Sequence, residues 1–173
     1  MTKNEFAVFS AAIATYYPRE NLFQNPQQIA LWMRQMQDVP YDAACVALEK
    51  WVSMNKWSPT IADIREAVAE IGMGYVKDWS EAWKDVMDSM TRYGMRDYEK
   101  AYAEYDSCTL ETVKRLGGFC DLCRSENIIA DRANFRTIYE SIVARKKSEV
   151  QMPKNVLEVL QQARYAIEGD TSD

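Results

Sequence analysis

The sequence predicts an all-α protein: two small helical bundles in one chain, with no sheet. Three observations carry this expectation. Apolar residues recur three and four positions apart along most of the chain, the spacing that lines up one face of a helix. Many of these runs open on a capping signature and close on glycine or proline. No run alternates apolar and polar residues between turn signals, as a half-buried strand would. The 173 residues are 47% apolar and 27% charged, the balance of a globular chain with room for one domain or two small ones.

The elements follow in order. Thr2-x-x-Glu5 is a capping-box pattern, in which hydroxyl and carboxylate satisfy amides left over at the first turn. It heads a helix with Phe6, Phe9, Ile13 and Tyr16 on its apolar side. Asn25-Pro26 opens a second helix, Pro26 taking the first position, where a missing N–H costs nothing. Its apolar side is Ile29, Trp32, Met33 and Met36. Pro40 starts a third, with Tyr41, Ala44, Cys45, Leu48 and Val52. A fourth begins near Ser58-Pro59-Thr60, with Asp63 placed to cap it and Ile61, Ile64, Val68 and Ile71 expected to be buried. Four amphipathic helices joined by short turns make an N-terminal bundle over residues 1–72.

Gly72 and Gly74 interrupt the pattern, so 73–78 is expected to be a hinge. Asp78-x-x-Glu81 then opens a long helix bearing Trp79, Ala82, Trp83, Val86, Met87, Met90 and Tyr93, stopped by Gly94. Shorter helices are expected over 98–105 and 110–116, the latter ending at Gly117-Gly118. A long helix over 128–149 carries Phe135, Ile138, Tyr139, Ile142 and Val143, which completes a C-terminal helical domain over 79–150. After Pro153, Asn155-x-x-Glu158 predicts a capped terminal helix within 151–173, with Val156, Val159, Leu160, Ala163 and Ile167 on one side and a loose tail over 169–173.

The missing chemistry narrows function. There is no histidine, which removes the commonest general base and metal ligand. No G-x-x-x-x-G-K-[ST] loop, dinucleotide fingerprint or G-x-S-x-G elbow occurs. Carboxylates are plentiful, but none comes with a nucleophile and base. No catalytic residue and no cofactor are therefore assigned. The net charge of −5 opposes generic coating of nucleic acid. The apolar stretch 6–17 ends in Tyr16-Tyr17-Pro18 without small residues at a cleavage site, so it is read as a core helix and not as a secretion signal. No stretch approaches the roughly 20 residues that span a bilayer. A cytoplasmic location without membrane attachment is expected.

Three features could still bind something. Cys120-x-x-Cys123, with Cys108 as the nearby third thiol, is a weak metal candidate, because zinc wants four ligands and only a carboxylate could complete the set. Free thiols on a short helix are the simpler reading, and no metal site is assigned. Arg132, Arg136, Arg145, Lys146 and Lys147 form a basic run on the long late helix, diluted by Asp131 and Glu140. It reads as a solvated face or as a dock for an acidic partner, with direct DNA contact weak or absent. Five tryptophans and ten tyrosines are the positive signal. Trp57, in a turn, and Trp79, at a helix start, sit in less protected contexts than the others and are candidate interface anchors.

Several motifs occur together in one order: Tyr16-Tyr17-Pro18; Trp32 with Asp38-Val-Pro-Tyr41; and Ala47-Leu48 and Trp51 leading into the run from Trp57 to Glu66, Trp-Ser-Pro-Thr-Ile-Ala-Asp-Ile-Arg-Glu. Later come Glu81-Ala-Trp83, Arg92-Tyr-Gly94, Val113-Lys-Arg-Leu-Gly117, Leu122-Cys123-x-Ser125-Glu126-Asn127 and Asp131-Arg-Ala-x-Phe-Arg136 with Tyr139-Glu140. In these the chain resembles the replicative-helicase loader/inhibitor proteins of phages and prophages of Gram-positive bacteria, over about residues 6 to 145. The resemblance implies a non-ATPase adaptor that binds a DnaB-type hexameric helicase, holds it inactive, and hands it to DNA through an initiator bound at the phage origin. Short members of that family engage the helicase through a flexible C-terminal part. This chain departs from that plan, since its second half is helix-rich and aromatic. A DNA-binding phage regulatory protein and, more remotely, a zinc-dependent enzyme remain the alternatives.

Overall fold

The computed structural model describes residues 1–170, with the backbone alone for 164–170. Among the described residues there are ten α-helices, two short 3-10 turns and no strand, an all-α fold. The chain divides into two compact units. One comprises Met1–Gly74 with the described part of Lys147–Asp173, and the other is Tyr75–Lys146.

The first unit is built on α1 (Lys3–Tyr16), α2 (Pro26–Met36), α3 (Tyr41–Met54) and α4 (Ile61–Met73). Capping boxes close the starts of α1 (Thr2 with Glu5) and α4 (Thr60 with Asp63). The core joins Phe6, Phe9 and Ile13 of α1 to Met36, Ala44, Ala47, Leu48 and Ile64. The expected Tyr16 is not part of it. The helix ends at Tyr16, which is half exposed, and Tyr17 leaves helical geometry and is buried in its place. Ile71 is likewise exposed near the end of α4.

One charged residue belongs to the interior. Arg65 on α4 is only 6% exposed. Its guanidinium forks onto Asp38 (2.9 and 3.0 Å), donates to the Gln35 carbonyl at 2.7 Å, and donates through Nε to the Gln151 carbonyl. Asp38 also accepts the backbone N–H of Lys154 at 3.1 Å. That amide opens α10 (Lys154–Asp170). The capping expected from Asn155 is therefore corrected: the helix starts at Lys154, two residues before the one Asn155 would head, and a carboxylate distant in sequence takes its first-turn amide. Val159 and Leu160 of α10 are exposed, not buried, and the side chain of Ile167 and residues 171–173 of the expected tail lie outside the described residues.

The second unit holds α5 (Trp79–Tyr93), α6 (Tyr98–Glu104), α7 (Ser107–Arg115), α8 (Phe119–Arg124) and most of α9 (Ile128–Gln151). Asp78 and Glu81 form the capping box of α5. Helix α7 starts at Ser107, ahead of the expected 110, because Asp106 accepts the N–H groups of Cys108 (2.8 Å) and Thr109 (3.0 Å). Val86, Val113, Phe119, Phe135, Tyr139 and Ile142 form the centre of the core. Trp83 lies against Phe135, and Phe135 stacks on Tyr139. The Tyr139 hydroxyl donates to the Lys77 carbonyl at 2.9 Å, which ties the segment before α5 to α9. No helix among the described residues is long and apolar enough to cross a membrane.

Candidate partner-binding surfaces

In the first unit, the turn after α3 presents Trp57. Its backbone is held from several sides. Trp51 Nε1–H donates to the Trp57 carbonyl at 2.9 Å, Ser58 N–H donates to Glu20 Oε1 at 3.0 Å, and the Ser58 hydroxyl donates to the other Glu20 oxygen. The Tyr17 hydroxyl donates to the Asn55 carbonyl at 3.2 Å. The bonds from the Ser58 hydroxyl and backbone hold the Glu20 carboxyl below its ordinary pKa despite some desolvation. Trp57 is nevertheless 66% exposed, with the Lys56 ammonium 5.4 Å from the centre of its ring. A fixed backbone carrying an exposed indole loses little freedom on binding, the usual property of an interface anchor. Beside it lies a cleft of about 420 Å³, lined by Tyr16, Tyr17, Pro18, Arg19, Glu20, Lys56 and Trp57.

In the second unit, three of the sequence candidates come together. Trp79, at the first position of α5, packs one side on the core. The guanidinium carbons of Arg132 and Arg136 lie 5.3 and 5.0 Å from its ring centre, within cation–π range. Arg136 Nε also donates to Glu140 at 2.9 Å. Arg132 has no carboxylate partner among the described residues. One turn earlier on α9, Ile129 is 85% exposed. Sequence reasoning does not single out Ile129, although its helical phase sets it off the apolar side of Phe135, Tyr139 and Ile142.

The rest of the basic run is dispersed. Arg145 pairs with Glu111 (2.7 Å), and Lys146 donates to the Ser107 hydroxyl (2.9 Å), both on α7. Lys147 pairs with Glu66 (2.7 Å) and Glu70 (3.2 Å) on α4. Those two hydrogen bonds raise the Lys147 pKa, outweighing its desolvation. The five cations thus form no continuous stripe.

The cysteines are unpaired. Cys108 is buried in the core, the Cys120 thiol faces the Met95 carbonyl at 3.6 Å, and burial, with Cys120 nearby, pushes the Cys123 thiol up. Among the described residues no three Cys, Asp or Glu side chains converge to hold a metal ion.

Comparison with known proteins adds one match. No curated protein and no solved structure matches the chain. The protein-family match covers α1 to α3 and the start of α4, including the Trp57 turn. Over residues 1–65 the chain matches the family model for the N-terminal domain of the phage SPP1 helicase loader/inhibitor, which is not a catalytic family.

Proposed function

We propose that this protein is a non-enzymatic phage replication adaptor that binds a DnaB-type hexameric helicase, restrains it, and helps place it on DNA at an origin through an initiator. The observation that carries this reading is the match of residues 1–65 to the N-terminal domain of the phage loader/inhibitor. The exposed Trp57 held on a fixed turn supports a binding role for that same unit. Mechanistically, an adaptor shifts a helicase ring only by its difference in affinity between the ring's states. Restraint and loading then follow from one contact, released when DNA or initiator competes for it.

The DNA-binding alternative has less support. Helix α4, which would be its recognition helix, carries Arg65 as its sole cation, and that side chain is buried on Asp38. The direct test is a strand-displacement assay on forked DNA with a DnaB-type helicase and ATP. The adaptor reading expects unwinding to fall as the protein is added and to recover when initiator is supplied. Unwinding that stays constant at saturating protein would overturn it.

A further inference from the structure

We infer that the face of α9 bearing Ile129, Arg132 and Arg136, backed by Trp79, is a docking surface for an acidic amphipathic helix of the helicase partner. This rests on the adaptor reading and adds to it the place and chemistry of a contact. At about 100° per residue, positions 129, 132 and 136 fall within an arc of about 60° on a helix. They form one stripe, next to the core-facing side that carries Phe135 and Tyr139.

The stripe has the composition of an interface and not of an ordinary solvated face. Ile129 is an almost fully exposed aliphatic side chain. The two guanidiniums rest on one indole, which limits their rotamers before any partner arrives, so less freedom is lost on pairing. Arg132 has no carboxylate among the described residues, and Glu140 takes only the Nε edge of Arg136. In a chain of net charge −5, this local positive stripe selects a negative partner.

The spacing specifies the partner further. Arg132 and Arg136 are four residues apart, about 6 Å along the axis. Two carboxylates four apart on a facing helix match that interval, and an apolar side chain one turn away meets Ile129. A nucleic-acid strand fits less well. The indole face that a base would stack on is already covered by the arginines.

The test measures binding of the full chain to a DnaB-type helicase hexamer with ATP. Wild type is compared with Arg132→Glu/Arg136→Glu and with a control of equal charge change on the same unit, Lys100→Glu/Arg124→Glu. Circular dichroism confirms that each is folded. The stripe reversal is expected to weaken binding by about tenfold or more, the control to change it little, and added salt to weaken wild type more than the stripe variant. Wild-type binding that survives the stripe reversal would overturn the inference while leaving the adaptor reading intact. Equal loss in the control would reduce the effect to net charge and overturn it too. Oligo-dT that binds wild type and is lost in the stripe variant would reassign the surface to nucleic acid. A wild-type chain that fails to bind the ring at all removes the adaptor reading, and this inference with it.

Discussion

Asp38 and Arg65, 27 residues apart in sequence, form a forked ion pair inside the first unit, with both oxygens engaged at 2.9 and 3.0 Å. The same guanidinium donates to the Gln151 carbonyl, and the same carboxylate accepts the Lys154 amide. One pair therefore fastens the junction of α9 and α10 to the helices that the family model covers. Removing one member leaves the other desolvated without its counter-charge. Arg65→Met is expected to cost about 3 kcal/mol or more, read as a lower urea midpoint at unchanged slope. Asp38→Leu combined with Arg65→Met should recover part of that loss, because no unpaired charge is left inside.

The pair also makes stability depend on acid. Burial alone would raise the Asp38 carboxyl, but its bonds from Arg65 and from the Lys154 amide outweigh this and hold it below its ordinary value. A carboxyl depressed in the folded state contributes stability that is fully present above the unfolded pKa of about 3.9 and drains away as pH falls through the lower folded value. Urea midpoints measured across that window should therefore fall more steeply for wild type than for the double apolar variant. Parallel curves would contradict this assignment.

Two glycines should respond with opposite signs. Gly117 has φ +95°, and an added Cβ there would meet Asp121 Oδ2 at 2.9 Å. Gly117→Ala is expected to destabilise by about 1–3 kcal/mol, mostly through backbone strain, since the Asp121 side chain can turn away. Gly72 lies inside α4 with open space around its Cβ position. Gly72→Ala should stabilise by about 0.5–1 kcal/mol. Thermal melts of the two variants beside wild type check both.

The thiols are expected to be structural. Protein purified without chelator should carry no zinc above background by elemental analysis, and dialysis against EDTA should leave its melting temperature unchanged. A stoichiometric zinc ion would revive the Cys108, Cys120 and Cys123 site.

Much of this fold could be read locally. Thr2 with Glu5, Thr60 with Asp63 and Asp78 with Glu81 cap helices at the places their spacing indicates, because a capping box is complete within four residues. Asp106 carries a local signal of the same kind for α7, two and three residues ahead of the amides it caps. One error arises where a distant residue decides the outcome, and another where a helix ends sooner than its apolar phase. Asn155 has a cap-like setting, yet Asp38, 116 residues away, takes the first amide of α10. Tyr16 has the right phase for the core, but α1 ends there and Tyr17 fills the place. The candidate surfaces were half visible. Residue type singled out Trp57, Trp79 and the arginines. Only the three-dimensional arrangement shows that Arg132 and Arg136 share one indole, while Arg145, Lys146 and Lys147 are engaged by α7 and α4.

Both the proposed function and the docking stripe require that this chain bind a hexameric helicase. Size-exclusion chromatography with light scattering, on the full chain mixed with a DnaB-type helicase and ATP, reads that binding without an enzymatic step. A stable peak heavier than the hexamer and containing both proteins is expected. Separate elution of the two at concentrations well above those of replication complexes in a cell would contradict it.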